Sequence, residues 1–425
     1  MKEQFIYTTL IALCVIFTSK QFVFAQDRGA VWVHGFGSGS GEWANWANTF
    51  TGANGRRLTT QSNGNFDSNN GVNNMAGQVR SSYEFSSDPQ RIYFGHSMGG
   101  VVGRDINISN PADFGGIITA GAPLDGARIA NTAFNGELLN CVSDGIWRVL
   151  RGPTAQIGPV TYFVSGVVVN SIPPVFQTVV NQRLGNNQTV NDLQENSGYI
   201  NGVRNNNTGT PKISIYGNEN APVSWRIATT ATGTDFTSIV STAGDVYEAA
   251  MWVNIGLAAT TGWFTFSISA AYFGWVAYEW SVGTDWWRSG SEGNYNYLIG
   301  ASIPSSQTTC YQTLNQQAFN ECMNSSCAGG ACNGSNGFAV YQSCQQQNTF
   351  QQCYTSFSGV NGQSDGFIKA SSQSGYNSGW ANNSTRIEAQ GVNHLEMGTD
   401  ATMQGIYNDI FNGNRGDSFF ITLPR

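Results

Sequence analysis

Three residue types that can together open an acyl bond occur at widely separated points of this chain. Ser97 sits in Gly95-His96-Ser97-Met98-Gly99, a G-x-S-x-G spacing that follows the apolar Ile92-Tyr93-Phe94 and precedes Gly100-Val101-Val102. A serine held in a sharp turn between a strand and a helix presses the residues two before and two after it against neighbouring backbone, where only hydrogen fits; Gly95 and Gly99 meet that need. The turn lifts the hydroxyl off a sheet edge and aims the first amides of the next helix at the same spot. Such a corner can attack a carbonyl and hold the negative charge that results. A neutral hydroxyl is a weak nucleophile, so it needs an imidazole within reach and a carboxylate to fix the imidazole's tautomer. The chain has three histidines, His34, His96 and His394, and only His394 comes late enough for the order serine, acid, histidine. Between Ser97 and His394 the favoured acid is Asp365, because Gly366 permits a tight turn and Phe367-Ile368 can anchor the loop, whereas Asp235, Asp245 and Asp285 compete for the role. An ordinary Asp-Gly turn is the bland alternative for Asp365.

These side chains need elements to hold them. Residues 29–33 are apolar and β-prone and lead into His34-Gly35-Phe36-Gly37. A strand ending in His-Gly ahead of such a corner offers a second oxyanion donor from the following backbone amide, here that of Phe36, beside the amide of Met98. Trp43 and Trp46 fit one face of a short helix. Residues 58–66 read as irregular, 71–83 as a helix, 115–126 as a strand and turn, and 211–217 as a further strand after a long excursion. A helix near 403–411 and a strand at 419–423 close the chain. The alternation of strand and helix calls for an α/β class with a mainly parallel central sheet and right-handed crossovers.

Charged residues make up only 11% of the 425, far below the usual quarter, and the net charge of −7 is spread without a basic stripe, which argues against a nucleic-acid partner. Lys2 followed by the apolar run from Phe5 to Phe17, then Val23-Phe24-Ala25, reads as a secretory signal cleaved after residue 25; an uncleaved anchor is the alternative. Cys310, Cys322, Cys327, Cys332, Cys344 and Cys353 cluster within residues 305–359. Behind a secretory signal they read as three disulfides, whose 15 connectivities sequence alone leaves open, with zinc as the competing reading. Cys141 then has no obvious partner and reads as a buried thiol. Residues 249–278 carry no charge and hold Trp252, Trp263 and Trp275. A membrane span, a buried cap hairpin and a lipid-facing lid are all compatible with such a run; polar and glycine residues within it favour two helices folded at Gly262, able to touch a lipid interface transiently.

Taken as an ordered set, His34-Gly35, the Gly-His-Ser-Met-Gly-Gly of 95–100, the Gly-x-Pro-x-x-Gly of 121–126, Asp365-Gly366 and Asn393-His394-Leu395 resemble the α/β-hydrolase superfamily, and within it the secreted bacterial lipases. The matches cover residues 29–135 and 360–410. The resemblance implies an α/β-hydrolase fold and carboxylic-ester hydrolysis through an acyl-enzyme, with Ser97, Asp365 and His394 as triad and Phe36 and Met98 as amide donors. It implies an ester or lipid substrate and no required cofactor. Glu396 stands where many of these lipases place an Asp that ligates structural calcium, so the resemblance gives no firm ground for calcium; separately, Leu124 stands after the proline of the 121–126 turn where they place a histidine. The expected organisation is a signal at 1–25, a core at 26–135 and 360–425, an apolar helical cap insertion at 136–304 that includes a core strand near 211–217, and a disulfide-rich insertion at 305–359. An acyltransferase, a phospholipase, a polyester hydrolase or a non-catalytic surface binding protein on the same scaffold are the rival readings.

Overall fold

The computed structural model describes residues 28–50, 58–85, 88, 91–157, 187–220, 222–233, 235–265, 268–301, 306–314, 316–326, 340, 343–344, 346–357, 362–382 and 384–412. Among them run the strands β1 (Arg28–Val33), β2 (Leu58–Ser62), β3 (Ile92–His96), β4 (Gly116–Ala120), β5 (Lys212–Asn218), β6 (Ser306–Leu314), β7 (Thr349–Phe357) and β8 (Ser384–Gln390). Six of these form one sheet in the order β2-β1-β3-β4-β5-β8, with every neighbouring pair parallel. The signal segment at 1–25 and the strand expected at 419–423 lie outside the described residues.

Side-chain alternation along the central strands explains why both faces of the sheet are covered. Val31, Val33, Tyr93 and Ile117 point into one apolar core, with α2 (Val72–Tyr83) and α3 (Met98–Ser109) over it. Ala30, Trp32, Ile92, Phe94, Ile118 and Ile213 point into the other, with α1 (Ala44–Phe50) and the late helix 401–412 over it. Strands buried on both faces read as near-continuous apolar runs, as β1, β3 and β4 do. In α2 the buried Val72, Met75, Ala76, Val79 and Tyr83 follow helical spacing, which gives that helix its inward stripe. Trp43 and Trp46 are both buried and meet Tyr407 of the late helix, at ring-centroid distances of 6.3 and 5.3 Å.

Two expectations are corrected. Residues 58–62 are the edge strand β2, paired in parallel with β1. An edge strand needs partners on one side only and turns Thr59 and Thr60 to solvent, so it lacks the apolar signal of an inner strand. The long charge-free run does make two helices, but the break does not fall at Gly262: α6 (Phe236–Thr265), which follows α4 (Glu137–Ile157) and α5 (Val223–Thr232), passes through it, and α7 starts at Ile268 (Ile268–Asp285). One glycine costs a helix only about 1 kcal/mol, less than long helices packed along each other supply. None of the described helices is long and apolar enough to cross a membrane.

Helices α4 to α7 and α8 (Ser291–Ile299) sit outside the sheet, whereas β5, from the same interval of the chain, lies within it. Arg151 on α4 grips Glu279 on α7 through two guanidinium nitrogens, and both side chains are buried. Glu292 on α8 accepts from the amides of Val223 and Ser224 at 2.7 and 3.1 Å, capping the start of α5. Farther along, β6 and β7 form an antiparallel pair in which Cys310 stands opposite Cys353. A disulfide joins Cys322 to Cys344. With that bond fixed, the other four cysteines of the cluster have three connectivities left; Cys327 and Cys332 lie outside the described residues, as does the side chain of Cys141. The last of the described helices, α9, spans Ala401–Asn412 and covers the second core with Met403, Ile406, Tyr407 and Ile410.

Candidate active site

The corner between β3 and α3 is tight because backbone fills every side of it. Ser97 has φ 52° and ψ −126°, an uncommon conformation for a residue with a side chain, and its amide donates to the Ala120 carbonyl at 2.9 Å. A Cβ on Gly95 would stand 2.6 Å from the Gly100 nitrogen and one on Gly99 2.5 Å from the Val33 carbonyl oxygen. Neither neighbour is a side chain that could swing away. Gly99→Ala should therefore destabilise the fold by about 3 kcal/mol or more, read as a lowered urea midpoint.

The side chains singled out by residue type meet at this corner. His394 Nε2 is 3.0 Å from Ser97 Oγ, and His394 Nδ1 is 2.7 Å from Asp365 Oδ2. Asp365 is fully buried, and its other oxygen accepts from the Phe367 and Ile368 amides at 3.0 and 2.8 Å. Because Oδ1 is occupied by two N–H groups and Oδ2 can only accept, the His394 proton sits on Nδ1 and the Nε2 lone pair faces the serine. The Asp365 carbonyl also accepts from the His394 amide at 2.7 Å, so acid and base loops are fastened together. From α8, the Tyr295 hydroxyl donates to the Gly366 carbonyl at 2.7 Å and secures the acid turn. The rival acids lie elsewhere: Asp235 caps Thr237 and Ser238 at the start of α6, Asp245 pairs with Arg288, and Asp285 is exposed at the end of α7.

Opposite the serine, the loop after β1 comes very close. A Cβ on Gly35 would lie 2.9 Å from Ser97 Cβ. His34 donates from Nδ1 to the Gly35 carbonyl at 2.8 Å and accepts the Phe66 amide on Nε2 at 2.9 Å. The first bond holds the Gly35–Phe36 peptide plane, and the N–H of that plane belongs to Phe36. Among the described residues neither the Phe36 nor the Met98 amide is spent on an acceptor within the protein. Two unspent donors beside the Ser97 hydroxyl have the arrangement that can hold the oxygen of a tetrahedral adduct. Gly35→Ala should move this loop off Ser97 and lower kcat by about 100-fold, with far-UV circular dichroism unchanged.

Glu396 is taken up by hydrogen bonds within the protein. Its carboxylate accepts from the Asn393 amide at 3.1 Å and the Thr230 hydroxyl at 3.0 Å, closing a capping box, and the Arg226 guanidinium, bonded to Glu219, is also attracted to Glu396 and Asp400.

Sequence spacing gave no warning of Glu42. It stands on the turn Ser40–Trp43, its carboxylate 2.5 Å from His96 Nδ1 and 3.2 Å from the Gly35 amide. Residues 42 and 96 are 54 positions apart, and an isolated Glu ahead of a Trp carries no motif.

No protein-family model matches the chain, and no curated protein matches it. Among solved structures it is similar to a lipase of Bacillus licheniformis in mature form, at 16% identity and a TM-score of 0.30, covering 46% of this chain and 67% of that one. An extracellular alpha/beta-hydrolase from a Paenibacillus species gives 17% identity and a TM-score of 0.26 over 44% of this chain and 77% of the other. A phospholipase from Legionella pneumophila gives 12% and 0.28 over 49% and 42%. Likenesses this slight carry no weight on their own; the parallel six-stranded sheet, the strand-serine-helix corner and the chain order serine, aspartate, histidine are what give this chain an α/β-hydrolase fold.

Proposed function

We propose that this chain is a secreted serine hydrolase that cleaves carboxylic esters, acyl lipids foremost, through an acyl-enzyme. The observation that carries the reading is the unbroken hydrogen-bond chain from Asp365 through His394 to Ser97. In this reading Ser97 Oγ bonds to the acyl carbon while His394 Nε2 takes its proton, and the carbonyl electron pair moves onto oxygen between the Phe36 and Met98 amides. Collapse of the adduct breaks the bond to the alcohol oxygen, which leaves with the proton from His394. Water then repeats the cycle and releases the acid, so proton and charge are handled by the named groups and no cofactor is required. The disulfide Cys322–Cys344 supports an oxidising, extracytoplasmic setting. Ile239, Val246 and Val253, seven apart on α6, are exposed together with Trp252, which supports a substrate met at a lipid surface.

A fluorophosphonate probe followed by peptide mapping tests the reading: the label should sit on Ser97. Hydrolysis of p-nitrophenyl esters of rising chain length, below and above the concentration at which each aggregates, should jump in rate at aggregation. A preference for short soluble esters would remove the lipid substrate but keep the esterase. No label and no turnover would leave a binding protein on this scaffold.

A further inference from the structure

His96, next to the nucleophile, takes no part in the proton transfers just described, yet it is buried beside them and engaged on both ring nitrogens. Nε2 is 3.1 Å from the carbonyl oxygen of His394, an atom that can only accept, so Nε2 carries a proton. Nδ1 is 2.5 Å from Glu42 Oε1, and Glu42 Oε2 accepts the Gly35 amide at 3.2 Å. The His96 and His394 rings lie 4.7 Å apart between centroids. A single glutamate and a single imidazole thus reach the loop that carries Phe36 and the loop that carries His394.

We infer that Glu42 and His96 form a buried carboxylate–imidazolium clasp that sets the spacing between the oxyanion loop and the catalytic base, making both of them positioning residues for catalysis at Ser97. The kinetic part rests on the ester-hydrolase reading. Protonation of the pair follows from its surroundings. Burial would push Glu42 up, but the His96 charge and the hydrogen bonds from His96, Ser38 and Gly35 bring it down to about 2. Burial would push His96 down, yet the charge and hydrogen bond of Glu42, with help from Asp365 and the His394 carbonyl, hold it above its ordinary value. The titratable groups facing the pair are His394 and Asp365 from the base and acid loops and Tyr407 from α9, whose hydroxyl the Glu42 charge pushes further up after burial has done so.

The sign of the pH dependence follows. Glu42 stabilises fully above its ordinary 4.5, and that contribution fades as pH falls toward about 2. His96 stabilises fully below its ordinary 6.5, and that contribution fades as pH rises through a folded value above 6.5. The clasp is strongest between pH 4.5 and 6.5.

The test uses the whole chain with Glu42→Ala and Glu42→Gln. Glutamine can donate to a neutral His96 and still accept from Gly35, so it keeps the geometry and drops the charge. Glu42→Ala should lower kcat by about tenfold or more with KM within about twofold, and Glu42→Gln should recover most of that loss. Heteronuclear NMR of the histidine ring nitrogens should find His96 doubly protonated in the wild type at pH 6.5. The urea midpoint gap between wild type and Glu42→Gln should be widest at pH 4.5 to 6.5 and narrow above it. A neutral His96 ring at that pH, or a Glu42→Ala enzyme with the wild-type kcat, would overturn the clasp. If Glu42→Ala does not fold, the NMR and the Glu42→Gln gap decide. A wild type that neither labels nor turns over ester would overturn the hydrolase reading and the kinetic half of this one, while the NMR would still judge the ion pair.

Discussion

Ser97→Ala should fold as the wild type does and lose at least about 10⁴-fold of its kcat on a p-nitrophenyl ester. The hydroxyl is the atom that bonds to the acyl carbon in the proposed cycle, and no neighbouring side chain can replace it: His394 is held by Asp365 on its far nitrogen, and His96 by two acceptors. What survives would come from the Phe36 and Met98 amides polarising a carbonyl for attack by water. A second variant separates lost chemistry from lost fold. Ser97 adopts φ 52° and ψ −126°, where a side chain is strained. Ser97→Gly should be equally inactive, yet more stable than Ser97→Ala by about 1 kcal/mol, since glycine adopts such angles at little cost. Urea unfolding of the two variants, run beside their kinetics, checks both statements. Turnover within tenfold of the wild type in either variant would remove Ser97 from the mechanism.

The corner was readable in sequence because its constraint is local. A Cβ at Gly95 or Gly99 meets backbone atoms within 2.6 Å, so spacing over five residues already encodes the turn. That Asp365 and His394 would meet at Ser97 was readable for another reason: few histidines, an Asp-Gly turn, and a chain order that the sheet topology accommodates by running β5 beside β4 and β8 beside β5. Parallel strands buried on both faces announce themselves as apolar runs, whereas the edge strand β2, with Leu58 inward and Thr59 and Thr60 outward, does not. Glu42 could not be found that way. Its role depends on the turn at 40–43 landing against the end of β3, which is a fact of packing, with Trp43 donating to the Val33 carbonyl at 2.8 Å to seat that turn. The length of α6 was equally hidden, because the cost of Gly262 is small beside tertiary packing.

Asp365→Asn should lower kcat by about 10⁴-fold while changing shape hardly at all. The buried carboxylate accepts three hydrogen bonds from protein groups, two on Oδ1 from the Phe367 and Ile368 amides and one on Oδ2 from His394. An asparagine has one accepting oxygen and one donating nitrogen. If its oxygen keeps the two amides, which outnumber the imidazole, its N–H points at His394 Nδ1 and forces the ring proton onto Nε2. That nitrogen then donates to Ser97 Oγ across the 3.0 Å gap instead of accepting from it, and the serine has lost its base. The opposite rotamer would set an amino group against two backbone N–H donors in a site with no exposure, at about 1 to 3 kcal/mol for each unsatisfied group. NMR of the His394 ring should therefore show the proton moved from Nδ1 to Nε2, and the fluorophosphonate should label Ser97 far more slowly. An Asp365→Asn enzyme with near wild-type kcat would hand the acid role to another carboxylate, and the contrast with Ser97→Ala makes the result readable: loss of the nucleophile leaves the His394 tautomer untouched, while loss of the acid changes it.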